Sequence, residues 1–172
     1  LEFRRVLFRS RLAIIDLSAA GYQPMVSSDG DFVIVYNGEI YNAEQTRQEL
    51  IERGISFRGH SDTEVLLEAC VAFGVEQAIK RFIGMFAFAI LDKKNQRLTV
   101  VRDRLGIKQL FYSSAGNHFL FGSELRALVS HPQCPEYIDH NSVAASFLQQ
   151  YIPNTPRHHQ GATKQPQGTP LQ

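Results

Sequence analysis

Asn37-Gly38, inside the run YNGEIYN (Tyr36 to Asn42), places a side-chain amide next to a backbone N–H that no Cβ hinders. Two such donors aimed at one point can stabilise the oxyanion of an acyl-transfer reaction. An isolated Asn-Gly is more often a turn between strand and helix, so the chemical reading needs partners elsewhere in the chain. Arg11 opens an apolar run and Asp62 opens a helical one. A guanidinium takes an α-carboxylate bidentately, a carboxylate takes an α-ammonium, and Glu39 offers a second acceptor beside Asn37-Gly38. Together these residues could hold an amino acid at both ends. Singly, Arg11 reads as a solvated charge, and Asp62 as a first-turn carboxylate favoured by the helix dipole.

The elements that must position these groups are readable from pattern. LAIIDL (Leu12 to Leu17) and FVIVY (Phe32 to Tyr36) are short β-branched and aromatic runs, and Gly21, Pro24 and Asp29-Gly30 supply turns between them. Asn42 with Gln45 predicts a capped helix near 43–53 that stops at Gly54. Ser61 with Glu64 repeats the capping pattern ahead of Val65, Leu66, Ala69 and Cys70, which gives a second helix ending near Gly74. GMFAFAILD and RLTVVRD flank the polar turn DKKNQ, and the first is apolar at odd and even positions alike, so its strand is expected to be buried on both faces. QLFYSS and HFLFGS are expected to pair around Ala115-Gly116-Asn117. RDRLGIK reads as a scaffold turn at Gly106 whose Arg102, Asp103, Arg104 and Lys108 pair among themselves or with a neighbour. Strand-rich sequence with paired helices predicts a layered α+β fold rather than a regular βαβ alternation.

Composition narrows the function classes. In 172 residues, 18 basic side chains face 17 acidic ones, which leaves no electrostatic footprint for nucleic acid or an anionic membrane surface. The apolar run around Ile83 to Leu91 is much shorter than the roughly 18 residues of a membrane span. Cys70 and Cys134 form no CxxC pair, so a disulfide scaffold or zinc knuckle is not indicated and a reducing cytoplasm fits. His158-His159 lacks a third ligand nearby in the sequence, and no metal is expected.

RLAIIDLS, GYQPM, YNGEIYN, GHSDTEV, GMFAFAILD, RDRLGIK, GSELRAL and YIPNTP, in this order, resemble the class II glutamine amidotransferase domain of asparagine synthetases over about residues 11–157. The resemblance implies a four-layer α/β/β/α sandwich of two antiparallel sheets, of the N-terminal-nucleophile hydrolase type, here missing its first strand region. It implies an oxyanion hole at Asn37 and Gly38. It also implies a glutamine site in which Arg11 holds the α-carboxylate, the backbone of Leu12, Ala13, Ile14 and Ile15 lines the pocket, and Glu39 and Asp62 bind the α-ammonium. The implied partners are L-glutamine and a synthetase domain that amidates aspartate to asparagine with ATP and magnesium. No cofactor is expected in this domain, and a homodimer of the full-length enzyme is left open.

The family's nucleophile is the thiol of a cysteine at residue one, with that residue's own α-amine as base; here residue one is Leu1. LEFRRVLFRS (1–10) matches nothing in the pattern and is read as a foreign leader, 11–152 as the amidotransferase domain incomplete at its N-terminus, and 153–172 as a Pro/Gln-rich tail, extended or disordered, that starts a disrupted linker. Gln109, Gln165 and Gln167 depart from the family's usual proline, leucine and proline. On this reading the fragment alone is inactive. Two alternatives remain: a class II amidotransferase with a different ammonia acceptor, and a non-catalytic domain that binds glutamine.

Overall fold

A computed structural model describes residues 21–115, 118–132 and 134, together with the dipeptide strands 137–138, 159–160 and 163–164. The predicted strand at 12–17, residues 1–10 and most of residues 153–172 lie outside the described residues. The chain forms two compact units, one that includes residues 2–108 and another that includes residues 109–166.

The first unit holds a four-stranded antiparallel sheet in the order β1 (Met25–Val26), β2 (Phe32–Ile40), β3 (Gly84–Asp92) and β4 (Arg97–Arg102). Three helices, α1 (Ala43–Glu52), α2 (Asp62–Phe73) and α3 (Val75–Arg81), connect β2 to β3, with α2 packed on β2. The core forms where Ile34, Tyr36 and Ile40 of β2 and Phe86, Phe88 and Ile90 of β3 meet Leu50, Val65, Leu66, Leu67 and Ala69 of the helices. As the absence of a polar face in GMFAFAILD predicts, Ala87 and Ala89 are also buried, at 3% exposure each; Leu91, towards the end of the strand, is half-buried.

The second unit holds a three-stranded sheet in which β5 (Phe111–Ala115) lies between β6 (His118–Gly122) and β9 (Thr163–Lys164). The expected hairpin is there, with Ala115 opposite His118. The short α4 (Leu125–Val129) buries Leu128 with Cys134 against Phe111, Leu120 and Leu125. β7 (Tyr137–Ile138) pairs with β8 (His159–Gln160) as a separate ribbon. The α+β reading with two antiparallel sheets and accompanying helices therefore describes the chain, and four residues of the tail sit in strands.

Three local expectations are corrected. β2 does not end at Tyr36 but runs on through Asn37-Gly38 to Ile40, with Asn37 opposite Ala87 and Gly38 opposite Phe86. Pairing with a long buried strand outweighs the turn tendency of Asn-Gly, and the pair is half-buried rather than exposed. Asn42 precedes α1 without a side-chain cap; its amide instead donates to Arg81 O at 2.9 Å and accepts from Ile83 N at 2.8 Å, stapling the start of α1 to the approach to β3. Ser61 does cap α2, accepting from Glu64 N at 3.2 Å. Glu64, however, is no reciprocal cap: its carboxylate accepts from Arg58 N, Gly59 N and Arg58 Nε, at 2.9, 2.9 and 3.2 Å, and so holds the loop before the helix.

Candidate functional site

The site forms along one edge of β2. Residues of a strand alternate the direction of their backbone groups as well as of their side chains. Tyr41 N donates to Ile83 O, on the β3 side, at 2.8 Å, whereas Tyr36 N and Ile40 N turn the other way. Tyr36 N donates to the side-chain oxygen of Gln23 at 2.6 Å, and Ile40 N to Asp62 Oδ2 at 3.2 Å. The same alternation puts the Gly38 N–H on that edge, between the other two and about 7 Å from each by strand rise. β1 pairs only with Val33 and Ile34, so no strand among the described residues covers this stretch. The Gly38 N–H has no partner among them.

Glycine is required at 38 by a close approach. A Cβ there would lie 2.6 Å from the Phe86 Cα and 2.9 Å from its Cβ, distances that only a shift of the β2–β3 ladder could relieve. The residue that bares its N–H on one side of the strand is thus the one that lets the two strands close on the other.

Asp62 reaches this edge because α2 begins beside it. Asp62 is 7% exposed, and its Oδ2 accepts both the Tyr36 hydroxyl at 2.7 Å and Ile40 N. Burial first, and then the neighbouring Asp62 carboxylate, push the Tyr36 phenol well above its ordinary value, with Glu39 adding to the effect. The phenol therefore stays protonated and is a fixed donor. Gln23 is held from the helix as well, donating to Thr63 Oγ1 at 3.5 Å.

The structure thus brings Gly38 and Asp62 to one edge. Asn37 and Glu39 belong to the alternate positions of the same strand, Asn37 half-buried and Glu39 exposed, so Glu39 stands in the strand rather than in a turn. Arg11 and the segment Leu12, Ala13, Ile14 and Ile15 lie outside the described residues. Gln23 and Tyr36 were not singled out from sequence, although each sits in a quoted motif; what marks them is the strand's alternation once it is extended through Gly38.

Two other chemistry-bearing groups among the described residues, RDRLGIK and Cys70, have structural roles. RDRLGIK is held by its own charges, which were expected to pair among themselves or with a neighbour; the hydrogen bonds they make within the loop and to Phe82 go to backbone groups. Asp103, 1% exposed, accepts from Leu105 N, Ile107 N and Lys108 N at 3.1, 2.9 and 2.9 Å. Arg102 donates from Nε to Lys108 O at 2.6 Å and from a terminal nitrogen to Gly106 O. Arg104 donates to Phe82 O at 3.3 Å. The Cys70 thiol is buried in α2, and burial pushes it up to about 12, which removes it from thiolate chemistry near neutrality. Among the described residues no cluster of histidine, cysteine, aspartate or glutamate could hold a metal ion. No helix among them is long and apolar enough to cross a membrane.

Comparisons with known proteins bear on this geometry. Over 145 residues the chain is 43% identical to an asparagine synthetase [glutamine-hydrolyzing] 3 of Bacillus subtilis, covering 83% of this chain and 23% of that protein. It is 35% identical over 127 residues to amidase chry2 of Gibberella zeae, covering 74% of this chain and 19% of that protein. The chain thus spans about a quarter or less of these two relatives' length. Among solved structures, the glutamine phosphoribosylpyrophosphate amidotransferase of Bacillus subtilis aligns with a TM-score of 0.55 and 26% identity, over 62% of this chain and 25% of that one, and so shares the N-terminal-nucleophile type of α+β fold. A model of the glutamine amidotransferase domain matches residues 3–172, and the chain belongs to that family.

Proposed function

We propose that this chain is the glutamine-hydrolysing domain of an asparagine synthetase and that it binds L-glutamine along the open edge of β2. The observation that carries the reading is the Gly38 N–H on that edge, about 7 Å along the strand from the residue whose N–H is bound by Asp62. That separation suits a substrate whose amide carbonyl oxygen meets Gly38 while its α-ammonium meets Asp62. Asn37 supplies the second donor to the oxyanion, Glu39 a second acceptor for the ammonium, and Arg11 the partner of the α-carboxylate, with Leu12, Ala13, Ile14 and Ile15 lining the pocket.

The nucleophile is the thiol of an N-terminal cysteine, activated by its own α-amine, which titrates near 8. The buried Cys70 and Cys134 lack a free α-amine and do not serve. Thiolate attack on the amide carbon forms the oxyanion, and its collapse expels ammonia and leaves a thioester. Water then hydrolyses the thioester to glutamate. The domain needs no cofactor for these steps. The ammonia passes to a partner synthetase domain, which uses ATP and magnesium to amidate aspartate. Two free cysteines fit a cytoplasmic setting.

The test is ammonia release by the chain extended upstream with the family's N-terminal cysteine segment. Asn37→Ala should lower turnover by about 10²–10³ with little change in substrate affinity, because the donor acts on charge that develops in the transition state. Asp62→Ala should mainly weaken binding, since its contact exists in both ground and transition states. Full activity of both variants would overturn the assignment. The likeness to amidase chry2 favours one second reading, in which the ammonia goes to an acceptor other than aspartate; amidation of aspartate by the complete protein separates the two.

A further inference from the structure

Asp62 is held from one side. Among the described residues, both of its hydrogen bonds fall on Oδ2, from the Tyr36 hydroxyl at 2.7 Å and from Ile40 N at 3.2 Å. A carboxylate has about four lone-pair sites, and this arrangement fills Oδ2 while leaving Oδ1 with capacity for a further cation. Tyr36 is itself fixed. The residue is 6% exposed within the core, its N–H is bound by Gln23 at 2.6 Å, and it lies two residues before Gly38 on the same strand.

We propose that Tyr36 is a positioning residue for glutamine: its hydroxyl fixes the Asp62 carboxylate so that Oδ1 receives the substrate's α-ammonium while Gly38, on the same strand, receives the amide oxygen. The proposal rests on the reading of Asp62 as the ammonium acceptor. One strand then sets both ends of the substrate, Gly38 through its backbone and Asp62 through the side chain of Tyr36 and the backbone of Ile40. The competing explanation is that the bond only docks α2 on the sheet. In that case its loss would loosen the domain without regard to what the ligand carries.

The two explanations separate on a ligand that lacks the α-amine. Binding of L-glutamine and of 4-carbamoylbutanoate, the same molecule without its amino group, is measured calorimetrically on the whole chain, directly or by competition. The wild type is compared with Tyr36→Phe, Asp62→Asn and the double variant, with melting temperature recorded for each. Tyr36→Phe should bind L-glutamine about three- to tenfold more weakly, the scale of one ordinary net hydrogen bond, because the hydroxyl acts on the ammonium only through Asp62. It should leave 4-carbamoylbutanoate unchanged, and in the Asp62→Asn background it should have no further effect.

Equal weakening of both ligands, or full additivity with Asp62→Asn, overturns the proposal. If Asp62→Asn binds L-glutamine as the wild type does, the Asp62 reading fails first, and the same is true if the wild type does not bind L-glutamine. Should Tyr36→Phe not fold, the Tyr36 hydroxyl proton resonance in wild-type protein carrying labelled tyrosine decides: it should move on addition of L-glutamine and not of 4-carbamoylbutanoate. An identical response to both ligands refutes the coupling.

Discussion

Gly38 of β2 and Phe86 of β3 pass so closely that a Cβ on residue 38 would come within 2.6 Å of the Phe86 Cα. The approach is backbone against backbone, so no rotamer change relieves it. Gly38→Ala should therefore cost about 1–3 kcal/mol, the range for inserting a methyl into a packed site. The same substitution should reduce glutamine turnover by more than the stability loss explains, because the ladder must shift the N–H that we propose meets the substrate. Thermal melting and an ammonia-release assay on the same preparation measure the two effects. A stable, fully active variant would show that the strands can part without moving that amide.

Asp103 satisfies three backbone N–H groups from a position with almost no solvent contact. Asp103→Ala leaves those donors without their acceptor, and a loss of about 3 kcal/mol is expected from the value of hydrogen bonds to a charged group. Amide exchange at Leu105, Ile107 and Lys108 should accelerate, while exchange in the middle of α2 changes only as global stability does. Unchanged protection at the three amides would mean that the loop is held from elsewhere.

The Cys70 thiol gives a pH dependence with a definite sign. Its folded value is pushed up from about 9 to about 12 by burial alone, so the folded state binds this proton more tightly than the unfolded one. Stability is unaffected by the group below pH 9 and declines as pH rises from there towards 12. Chemical denaturation across pH 8 to 11 should show the decline, and Cys70→Ala should reduce its slope. Thiol-reactive reagents at pH 7 should label Cys70 only at the rate of opening.

Much of this was legible in the sequence because the signals were strong and local. GMFAFAILD occupies a strand from Gly84 to Asp92, as a run without a polar face requires, and the Ser61 cap starts α2 where expected. Other features depended on partners that periodicity does not show. YNGEI continues a strand because Phe86 lies against Gly38, and no feature of Asn-Gly itself announces that. Asn42 was readable as a cap by type, yet Arg81 and Ile83, 39 and 41 residues away, compete for its amide. α3 went unnoticed because Gly74 read as a stop. At φ 78° it ends α2 and begins α3 in one residue, and the spacing Val75, Ala78, Ile79, Phe82 was the available clue. For the site, residue types suggested both ends of an amino acid, but the roles of Tyr36 and Gln23 became visible only with the direction of each amide along β2.

The loop RDRLGIK has a property that bears on how such domains diversify. Arg102 binds its carbonyls and Asp103 its amides, so the backbone is fixed by two buried residues at its start and by none of the side chains at its tip. Leu105 and Ile107 stand 75% and 52% exposed there. Replacing either alters what the loop displays and leaves its hydrogen bonds intact. A lineage can therefore rewrite the tip to suit a new neighbour without first solving the folding problem again.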